Sequence, residues 1–183
     1  MKGGIRILSL DDSPFKRSDK ENLIVGVVSR NEIVEGILSF YVHVNGDDAT
    51  EQLIKKIEKS RFRREIKLIV LNGITFAGLN IIDITSVSTR LNVPVLALTR
   101  RKPNRTTIKN AINSLGKNSK LKLAILKRII KLSKSSRSCN MYAQYINMQE
   151  NELEKFIKIS YPMLRLAHLI ASGVVRGESR GRI

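Results

Sequence analysis

Aromatic residues are scarce in this chain. Phe, Tyr and Trp together make up 5% of its 183 residues, and Trp is absent. An extended base-stacking platform of the single-strand-binding kind is therefore not expected. Cys139 is the only cysteine, which excludes an internal disulfide and a metal site built on cysteine pairs. Apolar runs are short, none reaching the roughly 18 residues of a membrane-spanning helix. The opening Met1-Lys2-Gly3-Gly4-Ile5-Arg6 has no apolar stretch of the secretory type. A cytoplasmic protein without a membrane partner is the expectation. Gly3, Gly4, Gly73 and Gly78 form neither a P-loop nor a dinucleotide fingerprint.

Acids are missing in a more telling way. Lys and Arg number 33 against 16 Asp and Glu, giving a net charge of +17 and a pI near 10.4. Residues 84–149 contain no acid at all, and 13 basic residues fall within 100–137. Such a field attracts polyanions. A thermophile's lysine-rich surface is the other source of positive charge, but it raises acids along with lysines, and here the acids do not rise. A nucleic acid, RNA or DNA, is favoured over a membrane surface because no strongly amphipathic basic helix ends the chain. Most acids lie in the N-terminal part. A positive lobe beside a carboxylate cluster is the arrangement expected where phosphates meet metal-binding acids.

Length and a 42% hydrophobic content suit one domain over 1–183. Three runs rich in Ile and Val, at 5–10, 23–28 and 33–44, predict an antiparallel meander. At 48–59, Ala49, Leu53, Ile54 and Ile57 recur at helical spacing, with Asp47 or Asp48 placed to cap. Residues 67–71 and 93–98 read as buried parallel strands, with a helix at about 79–91 between them. Basic helices follow at about 105–114 and 119–134. Residues 133–140 read as a loop, 150–159 and 162–172 as closing helices, the second begun by Pro162, and 173–183 as a mobile tail. This order is what an α/β ribonuclease H-like fold requires: a three-stranded antiparallel meander, two βα units and C-terminal helices. Right-handed crossovers place strand 67–71 parallel to strand 5–10. Asp11 and Asn72, 61 positions apart, then become neighbours at strand carboxyl ends, where ligands bind.

Asp11-Asp12 leaves an apolar strand, so one of the pair, Asp11 by preference, is expected to face a site and bind Mg²⁺ or Mn²⁺. Ordinary turn chemistry in Asp-Asp-Ser-Pro is the competing explanation. Asp47-Asp48 either reaches the same metal or caps the following helix. Asn72 offers a neutral oxygen or simply ends its strand. His43, alternating with Val42 and Val44, is read as structural. His168, in an otherwise apolar helix, is read as a hydrogen-bonded histidine or as a proton carrier near a phosphate.

Several segments together carry a resemblance. They are Gly3-Gly4-Ile5-Arg6-Ile7-Leu8 leading to Asp11-Asp12-Ser13-Pro14-Phe15, then Gly46-Asp47-Asp48-Ala49-Thr50 and Leu71-Asn72-Gly73-Ile74-Thr75-Phe76-Ala77-Gly78. Pro94-Val95, Thr99-Arg100-Arg101-Lys102-Pro103, and 165–173 with 176–182 complete the set. The chain resembles the archaeal endonuclease V-related family known as domain of unknown function 99. More distantly it resembles endonuclease V, a Mg²⁺-dependent nuclease that cleaves near deaminated bases. That resemblance puts Asp11 in place of the first metal aspartate, Val42 in place of a catalytic glutamate and Asn72 in place of the third acid. Arg100 takes the place of a lysine, and His168 that of a C-terminal aspartate. Glu32-Ile33-Val34-Glu35-Gly36 stands where endonuclease V carries a base wedge.

Three functional expectations follow. The first is a Mg²⁺- or Mn²⁺-dependent endonuclease: Asp11, Asp12 and Asn72 are catalytic, Asp11, Asp48 and Asn72 hold the metal, and Arg100, Arg101, Lys102 and His168 bind substrate. The second is a non-catalytic nucleic-acid-binding protein that keeps the fold. The third is a basic interaction protein for an acidic partner.

Overall fold

A computed structural model describes residues 4–116 and 119–179. The three Ile/Val-rich runs form β1 (Arg6–Asp12), β2 (Glu21–Arg30) and β3 (Ile33–His43), each pair antiparallel. Helix α1 (Ala49–Glu58) returns the chain to β4 (Ile66–Asn72), which lies parallel to β1. A small hairpin, β5 (Thr75–Phe76) and β6 (Asn80–Ile81), precedes α2 (Ile84–Leu91) and β7 (Val95–Thr99), parallel to β4. Helices α3 (Arg105–Ser114) and α4 (Ser119–Leu132) lead to β8 (Lys134–Ser138) and β9 (Met141–Ile146). The chain closes with one long helix, α5 (Leu153–Arg176). The main sheet has seven strands in the order β3-β2-β1-β4-β7-β9-β8. Among the described residues the architecture is a mixed α/β sheet with five α-helices.

Period-two alternation divides the sheet's side chains between two faces. Leu8, Leu10, Ile69 and Leu71 pack with Leu53, Ile57 and Val87 from α1 and α2 and with Leu126 and Ile129 from α4. On the other face Ile7, Leu68 and Val70 meet Ile157 and Leu164 of α5, while Val25 and Val27 meet Met163, Ala167 and Ala171. Each fully buried Leu or Ile contributes roughly 1.5–3 kcal/mol. Tight turns rest on left-handed asparagines, among them Asn31, Asn45 and Asn92, whose short polar side chain tolerates that conformation.

Five sequence expectations need correction. Residues 133–140 are not a loop: most form β8, the sheet's outer strand. Its Lys-Ser-Ser-Arg-Ser sequence has no buried apolar face, so no alternation marks it. Pro162 does not begin a helix but lies inside α5. The carbonyl deprived of a donor there belongs to Lys158, an exposed residue. Residues 173–176, read as tail, finish α5, and Gly177 closes it at φ 79°; residues 180–183 of that tail lie outside the described residues. The helix expected over 79–91 starts only at Ile84, because Asp83 caps it with bonds from the Thr85 and Ser86 amides. Finally, Asp48 occupies the N-cap position of α1 without making a side-chain cap. Asn80 caps instead, its Oδ1 accepting from the Ala49 amide at 3.0 Å.

Candidate active site at the carboxyl ends of β1 and β4

Parallel pairing puts Leu10 beside Leu71, so the next residues, Asp11 and Asn72, meet. The Asn72 Nδ2 group donates to both Asp11 oxygens, at 3.2 and 3.1 Å. The Asp12 amide donates to Asp11 Oδ1 at 2.9 Å. Helix α5 crosses the sheet so that His168 Nδ1 stands 3.0 Å from Asp11 Oδ2. Asp11 is 1% exposed. Burial raises its pKa to about 6, against the opposing pull of the Asp12 amide and Asn72.

Asp12 takes its partners from the α1 side of the sheet, where strict alternation places it. Its Oδ2 accepts from the Ala77 amide at 2.7 Å and from Asn22 Nδ2 at 3.3 Å. Burial, followed by the charge on Asp11, raises its pKa to about 6, while the Ala77 amide and His168 pull the other way. The two carboxyls are therefore adjacent desolvated groups, and the charge on Asp11 adds to the rise at Asp12. A second hollow of about 400 Å³ opens beside them, lined by Asp12, Ser13, Phe15, His168 and Arg176.

The remaining expected residues fall elsewhere. Asp48 is engaged by the His43 amide and ring, the latter at 2.8 Å, and by Asn80 Nδ2 at 2.7 Å. It makes no bond to Asp11 among the described residues. Val42 is buried in the core against the α1 side of the sheet. Arg100 sits on Tyr161, its Nε 3.2 Å from the phenol oxygen, and is not part of the Asp11 cluster. Arg101 is exposed, and Lys102 lines a larger cleft. Lys122, counted among the basic residues of the lobe, is 1% exposed and clamps the Leu79 carbonyl at 2.9 Å and Asp47 at 2.6 Å. Among the described residues no group of three or more His, Cys, Asp or Glu is arranged to hold a metal ion. Two carboxylates and an amide are present at Asp11, Asp12 and Asn72.

The larger cleft, about 870 Å³, begins at Gly73, the residue after Asn72. Gly73 has φ 82°, a conformation that favours glycine. Ile74, Ala97, Ile108 and Leu126 give the cleft apolar walls, while Lys102, Arg105 and Arg137 bring positive charge. Arg137 lies 5.5 Å from the centre of the Tyr142 ring. Sequence reasoning missed this cleft because a third of its lining residues come from β8 and β9. It also missed Asn22, which ties Asp12 to the Ser13 carbonyl and has no local signal.

Known proteins share this fold. A protein of unknown function from Archaeoglobus fulgidus superposes with a TM-score of 0.85 at 32% identity, over 94% of this chain and 99% of that one. Human endonuclease V superposes with a TM-score of 0.55 at 13% identity, over 95% and 85%, a likeness of fold. The UPF0215 protein of Methanothermobacter thermautotrophicus is 35% identical across 99% of this chain and 93% of its own length. The UPF0215 protein of Archaeoglobus fulgidus is 34% identical, across 97% of each. The model of the endonuclease dU family matches residues 3–175, and this chain belongs to that family.

Proposed function

We propose that this protein is an endonuclease that incises DNA at deoxyuridine with Mg²⁺ or Mn²⁺ as cofactor. The observation that carries the proposal is the pair of buried Asp11 and half-buried Asp12 at the carboxyl end of β1. Two adjacent carboxyls whose proton affinity is raised by burial are stabilised as anions by a bound cation. Mg²⁺ takes one or two carboxylates and fills its remaining positions with water and phosphate. Asp11 and Asp12 fit that demand, and Asn72 adds an oxygen if its amide turns. Asp48 does not join the set, since His43 and Asn80 hold it. When bound, the ion supplies a Lewis acid for the scissile phosphate and a more acidic water.

The chain's own groups do the rest. His168 orients Asp11 through Nδ1, which leaves Nε2 to meet a phosphate or leaving oxygen. Lys102, Arg105 and Arg137 hold the backbone. The base enters the cleft at Gly73, where its edge is read once it leaves the stack. The family's name and the fold shared with human endonuclease V support this reading.

The competing reading, nucleic-acid binding without cleavage, is favoured by one feature: Asn72 supplies donors to the oxygens a metal would use. Labelled duplexes carrying one dU, one inosine or neither, with matching RNA, decide between them when incubated with Mg²⁺, Mn²⁺ or EDTA. The expected result is metal-dependent incision of the dU duplex. Binding without incision in both metals selects the competing reading.

A further inference from the structure

One side chain in the larger cleft has a fixed hydrogen-bonding sense. Gln144 of β9 faces Ala97 and Ser135 across the sheet and lines the cleft. Its Nε2 donates to Ser133 Oγ at 2.8 Å. Ser133 Oγ lies 2.7 Å from the Ile129 carbonyl oxygen, which only accepts. With its single hydroxyl proton directed at Ile129, whose carbonyl also accepts the Ser133 amide at 2.9 Å, the serine accepts from Gln144. Turning the carboxamide over would bring two acceptors together. Oε1 receives no donor from the described residues. Gln144 therefore offers the cleft an acceptor, Oε1, beside a remaining Nε2–H donor.

We propose that Gln144, oriented by Ser133, reads the lactam edge of a base in this cleft and so selects deaminated bases over their amino parents. The inference rests on the nuclease reading above. Uracil presents N3–H beside O4, and hypoxanthine presents N1–H beside O6. Both complement the fixed amide. Cytosine and adenine present a bare ring nitrogen and an amino group at those places, so lone pair meets lone pair and N–H meets N–H. A freely turning amide would accept either pattern, and Ser133 prevents the turn. Thymine and guanine share the lactam edge, and their extra methyl and amino groups fall to the cleft walls for exclusion.

Binding is measured in EDTA with single-stranded oligonucleotides, which removes differences in pairing energy. Each carries one dU, one dC or one 3-methyldeoxyuridine in the same sequence. Wild type is expected to prefer dU over dC by roughly 10–100-fold, the range for one unmatched buried group. The methylated base, which lacks N3–H, should bind as weakly as dC. Ser133→Ala should bring dC to within a few-fold of dU without weakening dU. Gln144→Ala should abolish the preference while keeping the wild-type melting temperature. Equal binding of dU and dC by wild type, or a preference that survives Gln144→Ala, overturns the proposal. If wild type prefers dU in binding but incises nothing, the nuclease reading fails and this inference stands. If Gln144→Ala still incises dU over dC as wild type does, the inference fails and the nuclease reading stands.

Discussion

The acids at the end of β1 and the bases of residues 100–137 meet solvent on opposite terms. Asp11 and Asp12 are desolvated, and the fold supplies their partners from β1, β2, β4 and α5. Of the twelve described Lys and Arg residues in 100–137, only Lys122 is buried. The exposed ones act through their number and salt-dependent field, whereas the two acids act through position. Chemistry should therefore be concentrated in a few buried groups, and affinity spread over many solvated ones.

The largest expected effect tests that separation. Asp11→Ala should lower incision by more than about 100-fold, beyond the roughly 10–100-fold typical of a residue that only supports a metal ligand. DNA affinity in EDTA should change by no more than a few-fold. A matching loss of both, followed by gel shift and cleavage assay, would break the comparison.

His168→Ala should cost incision about 10–100-fold, as expected for a residue that orients a ligand, with KM nearly unchanged. His168→Gln, which retains a donor, should recover part of the loss. An effect confined to KM would move His168 to the phosphate-holding group instead.

A smaller effect appears in stability. Asp11 carries a folded pKa of about 6 against an ordinary 3.8. The native state therefore holds the proton more tightly than the unfolded chain. Stability of the metal-free protein should fall as pH rises from about 4 through about 6 and stay low above it. The loss is on the order of 3 kcal/mol for this group. Urea titrations in EDTA should give a flatter profile for Asp11→Asn than for wild type, and Mn²⁺ should restore stability to wild type at pH 8. A parallel pair of profiles would show that Asp11 ionises freely.

The smallest effects belong to the basic residues. Lys102→Ala, Arg105→Ala and Arg137→Ala should each weaken duplex binding several-fold. If each contacts one phosphate, each should reduce the salt slope by about 0.9. Unequal losses that depend on the base in the cleft would instead give one of them a reading role.

The sequence made the centre of the sheet legible and its margin obscure. Buried strands β1, β4 and β7 are continuous apolar runs, and the crossover rule alone joins Asp11 to Asn72. Strand β8 is an exposed margin whose serines and bases carry no pattern, so the cleft and Gln144 stayed hidden with it. Met141, Ala143 and Tyr145 of β9 do alternate as buried residues, but the strand has no recognisable partner without β8. Pro162 masked the continuity of α5, and with it the route by which His168 reaches Asp11. The capping of α1 by Asn80 and the clamp of Lys122 on Asp47 and Leu79 join residues more than 30 positions apart, which no local rule detects.

On the reading proposed above, Asp11 and Asp12 hold the metal ion. Crystals soaked in Mn²⁺ and measured at its absorption edge test this directly. An anomalous peak is expected beside the Asp11 and Asp12 carboxylates, lost in Asp11→Asn. A peak at Asp48 instead, or none beside Asp11 in protein that still cleaves with Mn²⁺, would contradict it.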